Sequence, residues 1–243
     1  MLINSRSNQY IKKIRSLKDK KFRDEFNLYL VEGVKLVREV LSLNLPIESI
    51  IATEDGFNKL AVAVNENLVT KVTESVFESI SNEVTPQGVL AVVKKQISEK
   101  IDNGASVFLD GVADPGNVGA IIRTAAASGY KNVYLAHGSA DAYSPKSVRA
   151  SMGGIFKVNI IEGEREQLIK KIKEPIVVAD MLGKNLFEFE KGEYCLVIGN
   201  EGNGVSEQLK KIAQHIVSIP MQNGMESLNA SVSAGILMYA LKK

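Results

Sequence analysis

Five short runs between residues 106 and 220 are apolar at almost every position: SVFLD, NVYLA, IVVAD, YCLVIG and HIVSIP. A strand with one wet face alternates apolar and polar residues. A strand that is apolar throughout must be covered on both faces, as in a parallel sheet flanked by helices. The segments between these runs have helical period: VGAIIRTAAASG, SPKSVRASMGG, EREQLIKKIK and SEQLKKI, with SLNASVSAGILMYALKK near the chain end. The pattern predicts a parallel-sheet α/β domain over residues 106–243.

The preceding residues alternate less strongly. SNQYIKKIRSLKDKKFR places Tyr10, Ile11, Ile14 and Leu17 at helical spacing, and VEGVKLVREVLSL continues the period through Val34, Val37, Val40 and Leu41. SIIAT, LVTKV and VLAVVKK then read as strands, with NKLAVAV and ESVFESI as helices between them. This predicts a small α/β sandwich over residues 1–96, an ordinary domain size. The polar stretch KKQISEKIDNGAS, with its late glycine, supplies a linker at 97–105.

Composition excludes several classes. Cys195 is the only cysteine, so no intramolecular disulfide forms, and its apolar surroundings make it a small buried thiol suited to a reducing cytoplasm. No apolar stretch approaches the roughly 18–20 residues of a membrane span. The start, MLINSRSNQYIKKIRSLK, has no signal-peptide core. His137 and His215 are isolated, so no metal cage is expected. The net charge of +2 decides nothing, but its distribution is uneven. From Met1 to Asp24, Arg6, Lys12, Lys13, Arg15, Lys18, Lys20, Lys21 and Arg23 face only Asp19 and Asp24. Such a helix is either a phosphate-contacting face or a merely solvated one.

The polar chemistry gathers where three strands end. ADPGNVGAIIRTAAASG follows Leu109, LVIGNEGNGVSE occupies 196–207, and IPMQNGMESLNASVSAG occupies 219–235. Ligands of open parallel sheets bind beyond the carboxyl ends of the strands, where glycines let a backbone come close. One such turn is commonly just a tight connection. Three of them, carrying Asn117, Asn200 with Glu201, and Ser227 with Asn229, point to a site. It is not a conventional dinucleotide cradle: the first turn has Gly116 and Gly119 alone, and no acid ends the second strand. A phosphate loop fails too, for want of Gly-Lys-Ser/Thr. In the last helix, residues 229–235 are nearly all small, while Leu228, Val232, Ile236 and Tyr239 form one apolar stripe. Ser227 is its candidate cap. The small residues would admit a close-packed segment, a ligand or a threaded chain.

DPGNVGAIIRTAAASG, VIGNEGNGVS and IPMQNGMESLNASVSAGI resemble, in order and spacing across 106–241, the three signature motifs of the TrmH/SpoU class of SPOUT RNA 2′-O-ribose methyltransferases. NQYIKKIRSLKDKKFRDEFNLYLVEGVKLVREVL is similar to the L30e-like RNA-binding domain of the rRNA-acting branch. The resemblance implies a carboxyl-terminal trefoil knot, bound S-adenosylmethionine and a homodimer whose sites the partner subunit completes. It implies cofactor contacts at Gly199, Ile219 and Leu228, with Met221 beside them. It makes Arg123 the catalytic arginine and Asn117 the residue that positions it. Glu201, Ser227 and Asn229 shape the site, and Arg149 lies near the RNA. Arg6, Lys12, Lys13 and Arg15 become candidate RNA contacts. The appended domain favours large-subunit (23S) rRNA. A tRNA substrate, and a non-catalytic RNA-binding protein on a knot scaffold, are the alternatives.

The chemistry leaves one role open. Methyl transfer to a hydroxyl needs an aligned nucleophile and a departing proton. A guanidinium is a poor base. Arg123 therefore acts either through a charge state changed by burial or as a fixed cation beside the forming alkoxide.

Overall fold

The computed structural model describes residues 2–96 and 101–243. Residues 97–100 of the expected linker lie outside the described residues. The chain divides into two bodies, Met1–Gln96 with Tyr143–Arg149, and Ile97–Ala142 with Ala150–Lys243.

The first body runs β1 (Leu2–Ile3), α1 (Gln9–Ser16), α2 (Lys20–Phe26), β2 (Leu28–Glu32), α3 (Val34–Ser42), β3 (Ile47–Ala52), α4 (Glu54–Leu60), β4 (Val69–Val72), α5 (Glu74–Ile80) and β5 (Val89–Lys94). Its sheet has the order β1-β4-β3-β5-β2. β5 runs antiparallel to both neighbours, and the other pairs are parallel. Ile11, Ile14 and Leu17 of the first helical stretch close the core against Val76, Phe77 and Ile80.

Three local expectations change here. The basic stretch is two helices rather than one. Arg23 is buried, and its guanidinium donates to the carbonyls of Leu17 at 2.7 Å and Lys18 at 2.6 Å, capping the end of α1 from within. That binds the carbonyls which a helix end leaves without partners. The front of VEGVKLVREVLSL is strand β2, and only Val34 onward is helical. NKLAVAV stops being helical at Leu60, where Ala61 takes a left-handed φ of 47°.

The second body runs β6 (Ser106–Asp110), α6 (Pro115–Ser128), β7 (Asn132–Ala136), α7 (Pro145–Ser151, grouped with the first body as far as Arg149), β8 (Asn159–Gly163), α8 (Arg165–Ile169), β9 (Ile176–Asn185), β10 (Cys195–Gly199), α9 (Glu207–Ile212), β11 (His215–Ser218) and α10 (Ala230–Leu241). The order β11-β9-β10-β6-β7-β8 is parallel at every pair. The five apolar runs form β6, β7, β9, β10 and β11, and β8 is an edge strand that the continuous-run pattern did not reveal. Cys195 is fully buried, and burial pushes its thiol up to about 12. Inside the expected linker, Ala105 N–H donates to Glu193, and Asp102 exchanges hydrogen bonds with the Asn132 side chain. Among the described residues no helix is long and apolar enough to cross a membrane, and no acid, His or Cys group could hold a metal.

α10 reverses two expectations. Its N-cap is Asn229, whose Oδ1 accepts from Ser231 N–H at 2.9 Å and Val232 N–H at 3.3 Å, whereas the Ser227 side chain has no partner among the described residues. Its buried face is Ala234, Leu237, Met238 and Leu241, while Leu228, Val232 and Tyr239 of the expected stripe are exposed. A helix apolar on most sides has no unique stripe, so packing against α6 chose the face. A Cβ at Gly235 would lie 3.7 Å from Thr124 Cγ2 of α6.

Candidate active site

The first turn begins where β6 ends. Asp114 caps α6, accepting from Asn117 N–H at 2.9 Å, and Pro115 opens the helix at a position whose N–H has no helical partner. This capped turn holds the Asn117 side chain at the carboxyl edge of the sheet. Its Nδ2 donates to Glu201 Oε1 at 2.9 Å, and its Oδ1 accepts from Asn229 Nδ2 at 3.0 Å. One amide thus joins all three motif segments.

The second segment is shaped by a close return. The backbone leaves β10 at Gly199 and comes back at Gly204, with Asn200 and Gly204 exchanging backbone hydrogen bonds. A Cβ on Gly199 would stand 2.2 Å from the Gly204 carbonyl carbon, so no side chain fits there. The loop presents Glu201 to the first turn, where it also accepts from Ala113 N–H at 3.1 Å and Asp114 N–H at 3.5 Å. Desolvation pushes its carboxyl upward. The hydrogen bonds from Asn117, Ala113 and Asp114 outweigh that and hold it below its ordinary range. Glu201 is an anion at neutral pH.

Arg123 is exposed on α6 and has no hydrogen-bond or ion-pair partner among the described residues. It does not meet Asn117. Six residues along a helix turn the side chain by roughly 240°, onto another face. Asn117 therefore orders the turn that starts the helix rather than gripping the arginine. Behind Arg123 the packing is tight: a Cβ at Gly154 would fall 2.8 Å from the Arg123 Cα.

The expected cofactor positions share the same edge. Gly199 ends β10, Ile219 and Met221 are half-buried, and Leu228 is exposed. Within 219–228 the described residues make a single backbone hydrogen bond, Met225 N–H to Gln222 O. Apolar side chains beside unpaired backbone amides suit a ligand with an apolar body and a hydrogen-bonding base edge. The residues present therefore fit an adenosyl group.

The basic candidates divide. Lys12 is exposed with no side-chain partner among the described residues. Arg6 donates to Ser75 O at 2.8 Å, Lys13 pairs with Glu48 at 3.0 Å, and Arg15 donates to Ser79 Oγ at 2.8 Å. Arg149 pairs with Glu83 at 2.5 Å. Asp110 escaped the sequence reading: it looked like an ordinary strand end, yet its buried carboxylate binds Arg165 and the backbone of Ser206. Gly183 escaped too, where a Cβ would stand 2.5 Å from the Val217 backbone.

Comparison with known proteins follows the same division. Residues 104–239 match the SpoU rRNA Methylase family, and residues 8–91 match the MRM3-like substrate binding domain. Over 99% of its length the chain is 32% identical to the 23S rRNA (guanosine(2553)-2′-O)-methyltransferase RlmP of Bacillus subtilis, covering 98% of that protein. It is 30% identical to the 23S rRNA (uridine(2479)-2′-O)-methyltransferase of Streptomyces viridochromogenes, over 87% of this chain and 81% of that one. The AdoMet-bound rRNA methyltransferase from Sinorhizobium meliloti superposes with a TM-score of 0.88 at 30% identity, covering 99% of this chain and 97% of that one.

Proposed function

Because the chain belongs to the SpoU rRNA methylase family, we propose that it transfers a methyl group from S-adenosylmethionine to a ribose 2′-hydroxyl of large-subunit ribosomal RNA. The observation that carries this reading is the Asn117–Glu201–Asn229 node at the carboxyl edge of a parallel sheet, with an arginine that has no partner among the described residues on the helix it anchors.

When bound, S-adenosylmethionine supplies a methyl group on a sulfonium. The chain's own residues do the rest. Ile219, Met221 and Leu228, with the open backbone around them, bind the adenosyl group beside the Gly199 turn. Arg123 meets the ribose and its neighbouring phosphate. A solvated guanidinium is a cation rather than a base, so Arg123 steadies the developing alkoxide electrostatically while the proton leaves to solvent. Glu201 and Asn229 fix Asn117, and Ser227 lines the approach.

Three further parts belong to this reading. Residues 1–96 form the RNA substrate-binding domain, with 97–105 as linker and 106–243 as the methyltransferase domain. The small residues at the start of α10 accommodate a threaded, knotted chain. The exposed Val232 and Tyr239, seven residues apart on α10, support a homodimer, since apolar surface on one helix face favours burial against a second copy. The enzyme works in the cytoplasm without a metal.

The test is methyl transfer from labelled S-adenosylmethionine to rRNA and tRNA from cells lacking the gene, with ribose methylation mapped by position. Label in a single 23S rRNA 2′-O position is expected. Label confined to tRNA, or absent from both, overturns the assignment.

A further inference from the structure

We propose that Arg165, acting through Asp110, is a positioning residue for the loop that carries Gly199 and Glu201. Arg165 lies outside all three motif segments, and the inference rests on the methyltransferase reading of that loop.

Asp110 is the last residue of β6 and stands in register with Gly199 on β10. Its side chain is 1% exposed. Oδ1 accepts from Arg165 Nε at 2.7 Å, and Oδ2 accepts from the Ser206 backbone N–H at 2.8 Å. The next carbonyl, Gly111 O, accepts from Asn200 Nδ2 at 2.8 Å. The loop from Gly199 to Ser206 is therefore gripped at its entry by Gly111 and at its exit by Asp110, with Glu201 between them.

The exit grip is a backbone hydrogen bond. Ser206 caps no backbone N–H of α9, and its hydroxyl is buried with no partner among the described residues. Its carbonyl accepts from Lys210 N–H at 3.1 Å within the turn of α9, so the backbone N–H to Asp110 is the hydrogen bond that ties this residue to the sheet edge. A buried carboxylate keeps one orientation when both oxygens are satisfied and its charge is balanced. Arg165 provides that balance from the start of α8, and its side chain is 33% exposed. Removing Arg165 leaves a charge buried in the sheet edge. Removing the charge of Asp110 leaves a guanidinium that can turn to water. The two changes are unequal, and that inequality separates positioning from simple loss of a surface ion pair.

The experiment uses the full chain as Arg165→Gln, Arg165→Lys, Asp110→Asn and the double variant Asp110→Asn/Arg165→Gln. Hydrogen exchange is followed over residues 199–206, and KM for S-adenosylmethionine is measured apart from KM for RNA. Arg165→Gln is expected to exchange about tenfold faster there and to raise the cofactor KM about tenfold, with the RNA KM within about twofold of wild type. Arg165→Lys should recover part of both effects. The double variant should exchange more slowly than Arg165→Gln alone, because the stranded charge is gone. Wild-type exchange in Arg165→Gln overturns the proposal, and so does a double variant no better than Arg165→Gln. The exchange arm needs no turnover. A protein without methyl transfer therefore defeats the reaction assignment and still lets exchange decide the positioning.

Discussion

Asn117 and Glu201, 84 residues apart in the chain, are joined by a 2.9 Å hydrogen bond from amide to carboxylate. The same amide's oxygen takes a hydrogen bond from Asn229 at 3.0 Å. Asparagine suits this place because it donates on one side and accepts on the other. Aspartate would still accept from Asn229 but would face Glu201 as a second anion. Asn117→Asp is expected to lower kcat/KM about 10²-fold, with a loss larger than that of Asn117→Ala. Steady-state kinetics on rRNA checks this, and equal losses in the two variants would remove the charge argument.

Arg123 should separate chemistry from stability. It is exposed and has no partner among the described residues, so Arg123→Ala is expected to change unfolding free energy by less than about 0.5 kcal/mol. S-adenosylmethionine binding should persist by calorimetry, while methyl transfer is lost. Arg123→Lys keeps a cation and loses the planar fork, so residual activity above that of Arg123→Ala is expected. A variant that folds, binds cofactor and methylates normally would strike Arg123 from the reaction.

Much of the second body was legible because burial on both sides leaves its mark on composition. Val107, Phe108 and Leu109 of β6 and Leu196 and Val197 of β10 are all fully buried. β8 was hidden because its sequence, NIIEG, has only Ile160 and Ile161 as an apolar run, and Ile161 alone is buried. The three polar turns could be found from their glycines. Their mutual geometry could not, since no local rule tells that Asn117 points at Glu201 rather than at Arg123. Arg165 left no pattern at all. Its partner Asp110 is remote in sequence, and an arginine opening a short charged helix looks solvated.

Glu201 should make the site acid-sensitive. Its carboxyl lies below its ordinary 4.5 because the hydrogen bonds to the anion outweigh desolvation. A depressed folded pKa adds stability that is complete above the unfolded value and fades as pH falls through the folded one. The stability gap between wild type and Glu201→Gln, measured by urea unfolding, should be full at pH 7. It should shrink as pH drops below 4.5. A gap that widens on acidification would reverse the assignment.

The Gly199 turn permits a paired control. A methyl at Gly199 meets the Gly204 backbone at 2.2 Å, whereas one at Gly202 meets nothing nearer than Asn200 Oδ1 at 3.5 Å. Gly199→Ala should cost about 1–3 kcal/mol by forcing the loop open, and cofactor affinity should fall with it. Gly202→Ala should leave both close to wild type. Denaturant titration and calorimetry distinguish the two, and a tolerated Gly199→Ala would show that the loop can relax without cost.

The basic helices should divide into cations that meet RNA and cations that hold the fold. Lys12 is exposed and has no side-chain partner among the described residues, so Lys12→Glu is expected to leave the melting temperature alone and to weaken RNA binding. A lost phosphate contact also reduces the slope of log K against log salt by about 1. Arg15 reaches Ser79 O at 3.2 Å, Ser79 Oγ at 2.8 Å and Arg6 O at 3.4 Å, tying α1 to α5. Arg15→Glu should therefore lower the melting temperature as well as affinity. Binding isotherms at several salt concentrations, read beside thermal melts, separate the two effects. An unchanged salt slope in Lys12→Glu would return this face to the role of a solvated surface.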